Sequence, residues 1–155
     1  MLQDESGSQY FRSINNAIGL PQVNVGGIVE DKTGRLITAT ESGLYCQAMG
    51  TTEVEWLEGG NFYSVLLDQT NDLWAGSSDG LHNFENSPNM HIPLKKNLFV
   101  YDPRNPNSLS KNVVKSLLIY STGIIWAGTS GVGLTSSTLS ESNFDISEKH
   151  KILQV

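Results

Sequence analysis

Apolar residues along the chain come in short clusters separated by polar turns, and the clusters recur. Val25 to Val29, Phe62 to Leu67 and Val113 to Ile119 are rich in β-branched and aromatic residues and predict strands. A polar turn follows each. In DKTGR, Asp31 is suited to bond the backbone ahead of it, and Gly34 to take the left-handed conformation that closes a three-residue hairpin loop. DQTND repeats this with Asn71 at the Gly position, and Asn tolerates positive φ better than most side chains. YSTGI keeps Gly123 but has Tyr120 in place of Asp, so this turn is expected to lean on Ser121. A second strand follows each turn, then a tight turn (ESG, SSDG or TSGVG) and a further short strand.

The second strands share a phrase. LWAGSSDGL, Leu73 to Leu81, returns as IIWAGTSGVGL, Ile124 to Leu134, and in a weathered form as GRLITATESGLY, Gly34 to Tyr45. Asp31, Thr33, Gly34, Ile37 and Leu44 stand 37 residues before Asp68, Thr70, Asn71, Trp74 and Leu81, and Trp74 stands 52 before Trp126. A mean period of about 44 residues is that of propeller blades. The expected fold is therefore all-β: about three four-stranded antiparallel blades forming an incomplete ring. Residues 1–155 make one partial β-propeller unit with repeat motifs at about 25–45, 62–82 and 113–135, and a longer connection at 86–112. A small sheet cannot hide its faces alone, so blades stack, and Trp74 and Trp126 are suited to fill the gap. Ala75-Gly76 and Ala127-Gly128 beside them permit close backbone approach.

With 155 residues and a net charge of −6, the chain suits one acidic, turn-rich domain and disfavours nucleic acid as a partner. No apolar run is long enough to span a bilayer, and the start MLQDESGSQYF lacks the basic and apolar regions of a signal peptide. The lone Cys46 excludes an internal disulfide and reads as a small buried or half-buried thiol. His82, His91 and His150 have no metal-ligand spacing, and no serine sits in G-x-S-x-G, so neither a metal, a cofactor nor a catalytic residue is assigned.

FVYDPRNPNSLSKNVVKSLLIYSTGIIWAGTSGVGL, Phe99 to Leu134, resembles the two-component regulator propeller repeat of sensor ectodomains in bacterial hybrid histidine kinases. The resemblance rests on Phe99, Tyr101-Asp102-Pro103, Ser108-Leu109-Ser110, Val113, Gly123, Trp126, Gly128-Thr129 and the run Gly131 to Leu134. The family usually writes an acidic pair where Ile119-Tyr120 stand and a Trp where Ile37 stands. It implies a fragment of a periplasmic or otherwise extracytoplasmic sensor that recognises a small ligand, often carbohydrate, and relays binding through a membrane segment and output domain that this sequence does not contain. The alternatives are a protein-interaction scaffold and, by fold analogy, a propeller lyase or glycosidase.

Ligand contacts are expected on one rim. The connection 86–112 is locally basic, with Lys95, Lys96, Arg104 and Lys111 against Asp102, and holds an outer strand around Leu98 to Tyr101. Its Tyr101, Arg104 and Asn105 or Asn107 offer an aromatic face and hydrogen bonds, and Glu41, Asp79 and Ser130 are placed on the same rim from the second turns. Asn143 to Ile146 are expected to form an outer strand of the third blade. Three blades leave two apolar faces in water, which predicts self-association, with two arcs closing one ring.

Overall fold

The computed structural model describes residues 19–48, 50–86 and 93–138, and all regular structure within them is β. Three antiparallel sheets follow one another along the chain. Blade 1 is β1 (Val25–Glu30), β2 (Leu36–Thr40), β3 (Gly43–Gln47) and β4 (Glu55–Gly59), and blade 2 is β5 (Phe62–Leu67), β6 (Leu73–Ser77), β7 (Leu81–Glu85) and β8 (Leu94–Phe99). Blade 3 comprises β9 (Val114–Ile119), β10 (Ile124–Thr129) and β11 (Gly133–Thr138). Each is a meander in sequence order, and the first strands β1, β5 and β9 lie side by side, which is the arrangement of propeller blades about an axis. The close approach of β1 to β5 needs glycine: a Cβ on Gly26 would stand 2.6 Å from the Tyr63 carbonyl oxygen.

The first turns form as the residue types dictate. Asp31 Oδ1 accepts from the Thr33 amide (2.8 Å), the Thr33 hydroxyl (2.7 Å) and the Arg35 amide (2.9 Å). Asp68 Oδ1 receives the same three bonds from Thr70 N, Thr70 Oγ1 and Asp72 N at 2.9, 2.6 and 2.9 Å. Asn71 takes φ 75°, the counterpart of Gly34 at 80°. The third turn departs from the expectation: Gly123 donates to the Tyr120 carbonyl and Tyr120 to that of Ile124, both at 2.9 Å, and no bond from the Ser121 side chain enters the turn. Backbone closure suffices there because Gly123, at φ 83°, supplies the left-handed residue.

Ser121 instead ends a ladder between blades. Lys32 Nζ donates to the Gln69 carbonyl at 2.8 Å, and Gln69 Nε2 donates to the Ser121 carbonyl at 2.5 Å. Lys32, Gln69 and Ser121 occupy one repeat position, so each long side chain clips its turn to the next blade.

Two cores lie between the blades. Ile37, Ala39, Leu44 and Cys46 of blade 1 meet Phe62, Leu73, Ala75 and Phe84 of blade 2. Leu66, Trp74 and Leu81 of blade 2 meet Val114, Ile125 and Ala127 of blade 3, with Leu109 of the intervening connection. Trp74 is 3% exposed, donates from Nε1 to Asp68 Oδ2 at 2.9 Å and stacks on Phe99 with ring centroids 5.8 Å apart. Cys46 is buried as expected, and burial pushes its thiol up to about 11. The outer strand of blade 2 begins earlier than anticipated, at Leu94, and ends at Phe99, so Tyr101 belongs to the connection after it. The anticipated strand at Asn143 to Ile146, His91 and His150 lie outside the described residues.

Candidate functional site

In a meander blade the turns between second and third strands share one end with the connections that lead into the next blade. The backbone marks this rim three times: Glu41 N donates to Asn24 O (3.1 Å), Ser78 N to Asn61 O (3.0 Å) and Ser130 N to Val113 O (2.9 Å). A hydroxyl closes each turn: Thr40 and Thr129 donate to the carbonyls of Gly43 and Gly133 at 2.9 Å each, and Ser77 Oγ accepts from the amides of Asp79 and Gly80 at 3.2 Å each.

The longest connection on this rim, residues 100–113, folds on itself. Asp102 N donates to Ser108 Oγ at 2.9 Å and that hydroxyl donates back to the Asp102 carbonyl at 3.0 Å. Arg104 N caps Asp102 Oδ1 at 2.9 Å, Asn107 N caps Asn105 Oδ1 at 3.0 Å, and Tyr101 N donates to Asn112 Oδ1 at 2.6 Å. Leu109 anchors the loop in the core, and Ser110 Oγ lies 2.8 Å from Thr129 Oγ1 and accepts from Thr135 Oγ1 at 2.9 Å.

Beneath this loop a cleft of about 290 Å³ opens between blades 2 and 3. Leu81, Leu98, Phe99, Leu109, Ile125 and Ala127 make its apolar walls, and Asp102, Asn105, Asn107, Ser108, Thr135 and Ser137 bring polar groups to it. Ser137 Oγ is buried with no hydrogen-bond partner among the described residues. An apolar pocket with a few placed amides and hydroxyls is the ordinary composition of a small-ligand site.

Asn105 and Asn107 line this cleft, as their place in the basic connection allowed, whereas Glu41, Asp79, Tyr101, Arg104 and Ser130 do not. Tyr101 and Arg104 stand on the roofing connection: Lys111 Nζ sits 5.2 Å from the Tyr101 ring centroid, and the Arg104 side chain, 90% exposed, reaches Asp102 Oδ1 at 3.3 Å. Glu41, Asp79 and Ser130 share the rim but belong to blades 1, 2 and 3, and Glu41 Oε2 is occupied by the Asn24 amide at 2.7 Å. Sequence reasoning missed Thr135 and Ser137, although the alternation of β11 opposite Ala127 and Ile125 turns both towards blade 2.

One cluster on the rim has the residue types of a hydrolytic triad. Ser77 Oγ lies 2.5 Å from Asp79 Oδ1 and 3.0 Å from His82 Nε2, and that same nitrogen lies 3.1 Å from Asp79 Oδ1. A triad needs the imidazole to bridge, with one nitrogen on the nucleophile and the other on the carboxylate. Here both partners crowd Nε2, Nδ1 is buried without a partner among the described residues, and Ser77 is fully buried with its hydroxyl closing the turn. Burial, opposed by the Asp79 contact, holds the His82 pKa below its usual value. Burial also works against the Asp79 carboxylate, but the bonds from Ser77 and His82 outweigh it and keep the acid stronger than usual. The cluster fastens a turn. Among the described residues, no group of three His, Cys, Asp or Glu is placed to hold a metal ion.

No protein-family model matches the chain, and no curated protein matches it significantly. Solved structures do. The extracellular domain assigned to a hybrid two-component system, BT4673 of B. thetaiotaomicron, is 25% identical with a TM-score of 0.64, over 76% of this chain and 16% of that one. That of BT3049 from the same organism is 22% identical with a TM-score of 0.65, over 77% and 18%. PorZ, a surface component of the type-IX secretion system of Porphyromonas gingivalis, superposes with a TM-score of 0.56 at 16% identity, over 73% and 17%. The chain thus spans less than a fifth of each of these proteins, and what it shares with them is the stacking of antiparallel propeller blades.

Proposed function

We propose that the chain is part of an extracytoplasmic sensor of the two-component type, in which the propeller rim recognises a small polar ligand, an oligosaccharide fragment, without transforming it. The likeness to the BT4673 and BT3049 extracellular domains supports the sensing role and the side of the membrane. The observation that carries the ligand class is the cleft under residues 100–113, where apolar walls meet two asparagine side chains and the hydroxyl-bearing residues Ser108 and Thr135. Sugars present apolar C–H faces ringed by hydroxyls, and such a lining meets both. The rim residues Glu41, Asp79, Tyr101, Arg104 and Ser130 are then candidates for contacts with the exposed part of a longer ligand. The crowding of Ser77 and Asp79 on one nitrogen of His82 supports recognition over hydrolysis.

Calorimetric titration with a panel of oligosaccharide fragments tests this. Saturable binding is expected for one class, weakened ~10-fold by Asn107→Ala through loss of a hydrogen bond in a partly dry site. Absence of binding across the panel, unaltered affinity in the variant, or cleavage of the sugar would each overturn the proposal. Capture of a polypeptide in place of a sugar would favour a scaffold.

A further inference from the structure

The first strand of each blade carries one residue more than its partner strand can pair. The register slips in β1 between Val25 and Gly27, in β5 between Phe62 and Ser64, and in β9 between Val114 and Ser116, which leaves Gly26, Tyr63 and Lys115 as bulged residues outside the ladders to β2, β6 and β10. They stand 37 and 52 residues apart, the offsets of the Trp-bearing strands, so the bulge belongs to the repeat while the side chain on it changes. A bulge re-aims the residue it leaves unpaired and is commonest at rims and beside sites. All three lie at the rim end of their strands, just after the carbonyls of Asn24, Asn61 and Val113 that receive the rim bonds.

These residues meet one another. The Gly26 backbone lies against the Tyr63 carbonyl, and the Lys115 ammonium sits 3.2 Å from the centroid of the Tyr63 ring. Tyr63 has a blade on either side of it and is still only half-buried, so stacking leaves this level open. Lys115 is exposed and leans back onto blade 2, so its surroundings belong to the junction of blades 2 and 3.

Charge singles out the same residue. The chain is acidic overall, and Arg35, Lys95, Lys96 and Arg104 pair with Asp31, Glu58, Asp72 and Asp102, while Lys32 donates to the Gln69 carbonyl. Lys111 and Lys115 have no carboxylate or carbonyl partner among the described residues, and each rests on a tyrosine ring, Lys111 at 5.2 Å from the Tyr101 centroid. A ring face orients an ammonium without neutralising it, since the attraction comes from a quadrupole and not from a charge. Both cations belong to the segment that runs from the loop over the cleft into β9.

We propose that the ligand is an anionic sugar, an oligosaccharide bearing carboxylate or sulfate groups, and that Lys115, held over Tyr63, receives one of those groups. The sugar rests on the reading of the cleft, and the anionic group on the bulges and the two ammonium groups that no carboxylate meets. Lys111 adds a second positive charge to the same segment.

Two measurements on the chain test this. Calorimetric titration compares three oligosaccharides of one length and linkage: a neutral one, its uronic-acid counterpart and its sulfated counterpart. A charged sugar should bind ~10-fold tighter than the neutral one. That advantage should shrink in raised salt, disappear in Lys115→Met and persist in Lys32→Met, which removes the same charge at the opposite end of the blades. Whichever counterpart shows the advantage identifies the group. Titration with inorganic sulfate at constant ionic strength, followed by NMR of the lysine ε-methylene signals, reads the anion contact without a sugar. The Lys115 signal, shifted upfield by the ring beneath it, is recognised by loss of that shift in Tyr63→Leu, and it should move saturably with sulfate. Equal affinity for neutral and charged sugars, or an advantage that survives Lys115→Met, would overturn the proposal and leave the sensing role standing. Absence of binding by every sugar would overturn the sugar, and the sulfate titration then decides the anion site by itself: a saturable shift supports it and an unmoved signal overturns it.

Discussion

Adding one methyl group at Gly76 and at Gly128 asks the two blades the same question in different surroundings. A Cβ at Gly76 would stand 2.7 Å from Val114 Cγ1, 2.7 Å from Ser64 Oγ and 2.8 Å from the Val114 carbonyl oxygen. The hydroxyl can rotate away, but the carbonyl belongs to a strand fixed in the neighbouring blade, so blades 2 and 3 must part by several tenths of an ångström. Overpacking of that kind costs about 1–3 kcal/mol. Removing a strand glycine returns about 0.5–1 kcal/mol of backbone entropy. Gly76→Ala should therefore lose about 1–2 kcal/mol, and the midpoint of urea denaturation should fall with its slope unchanged. At Gly128 the added atom meets only Ser116 of its own blade, so once that side chain rotates Gly128→Ala should be neutral or slightly stabilising in the monomer. Both variants are to be measured at a concentration where the chain does not associate. Equal losses at the two sites would refute the reasoning, since they would show that the cost arises within a blade and not from its neighbour.

Three further outcomes are expected. Burial works against the Asp31 carboxylate, but bonds from Thr33 and Arg35 outweigh it and hold its pKa at about 2, against 3.8 unperturbed. A lowered folded pKa gives stability that is complete above the unfolded value and lost as pH falls through the folded one, here roughly 2 kcal/mol between about pH 5 and 2. Asp31→Asn should flatten that limb of a urea titration, and an unchanged acid limb would count against the assignment. Trp74→Phe removes the donor to Asp68 Oδ2 and should cost about 1–3 kcal/mol beyond the lost area. Trp126→Phe removes a donor with no acceptor among the described residues and should cost the monomer much less, as thermal unfolding of the pair would show.

How much the sequence disclosed follows from how local each feature is. The turns at Asp31 and Asp68 were legible because a carboxylate two residues before a hydroxyl and a left-handed residue closes on itself, without help from elsewhere. The Trp-bearing strands were legible because the same stacking requirement recurs at a fixed offset. The third turn was misread at Ser121: residue type suggested a bond within the turn, and the bonds present run along the backbone and across to Gln69. The cleft was legible only in part, because its walls come from β7, β8, a connection, β10 and β11, and no periodicity within one blade reports what another blade presents. Asn105 and Asn107 could be proposed from their loop, whereas Thr135 and Ser137 emerge only from the register of β11 on β10. His82 lies on a strand and leaves Nδ1 unpaired among the described residues, which no local pattern in the sequence reports.

The unequal repeat spacing bears on how such a chain can change. Blades 1 and 2 are joined by Gly60 and Asn61 alone, whereas blades 2 and 3 are joined by residues 100–113, and nearly all of the extra length lies on the rim of the cleft. At the opposite end the clips from Lys32 to Gln69 and from Gln69 to Ser121 hold the turns at a fixed separation. Insertions on one side thus leave the other undisturbed. The molecule divides into a chassis, where lengthening would break a ladder, and a face where lengthening adds only loop, so binding preferences can diversify while the stacking of blades stays as it is.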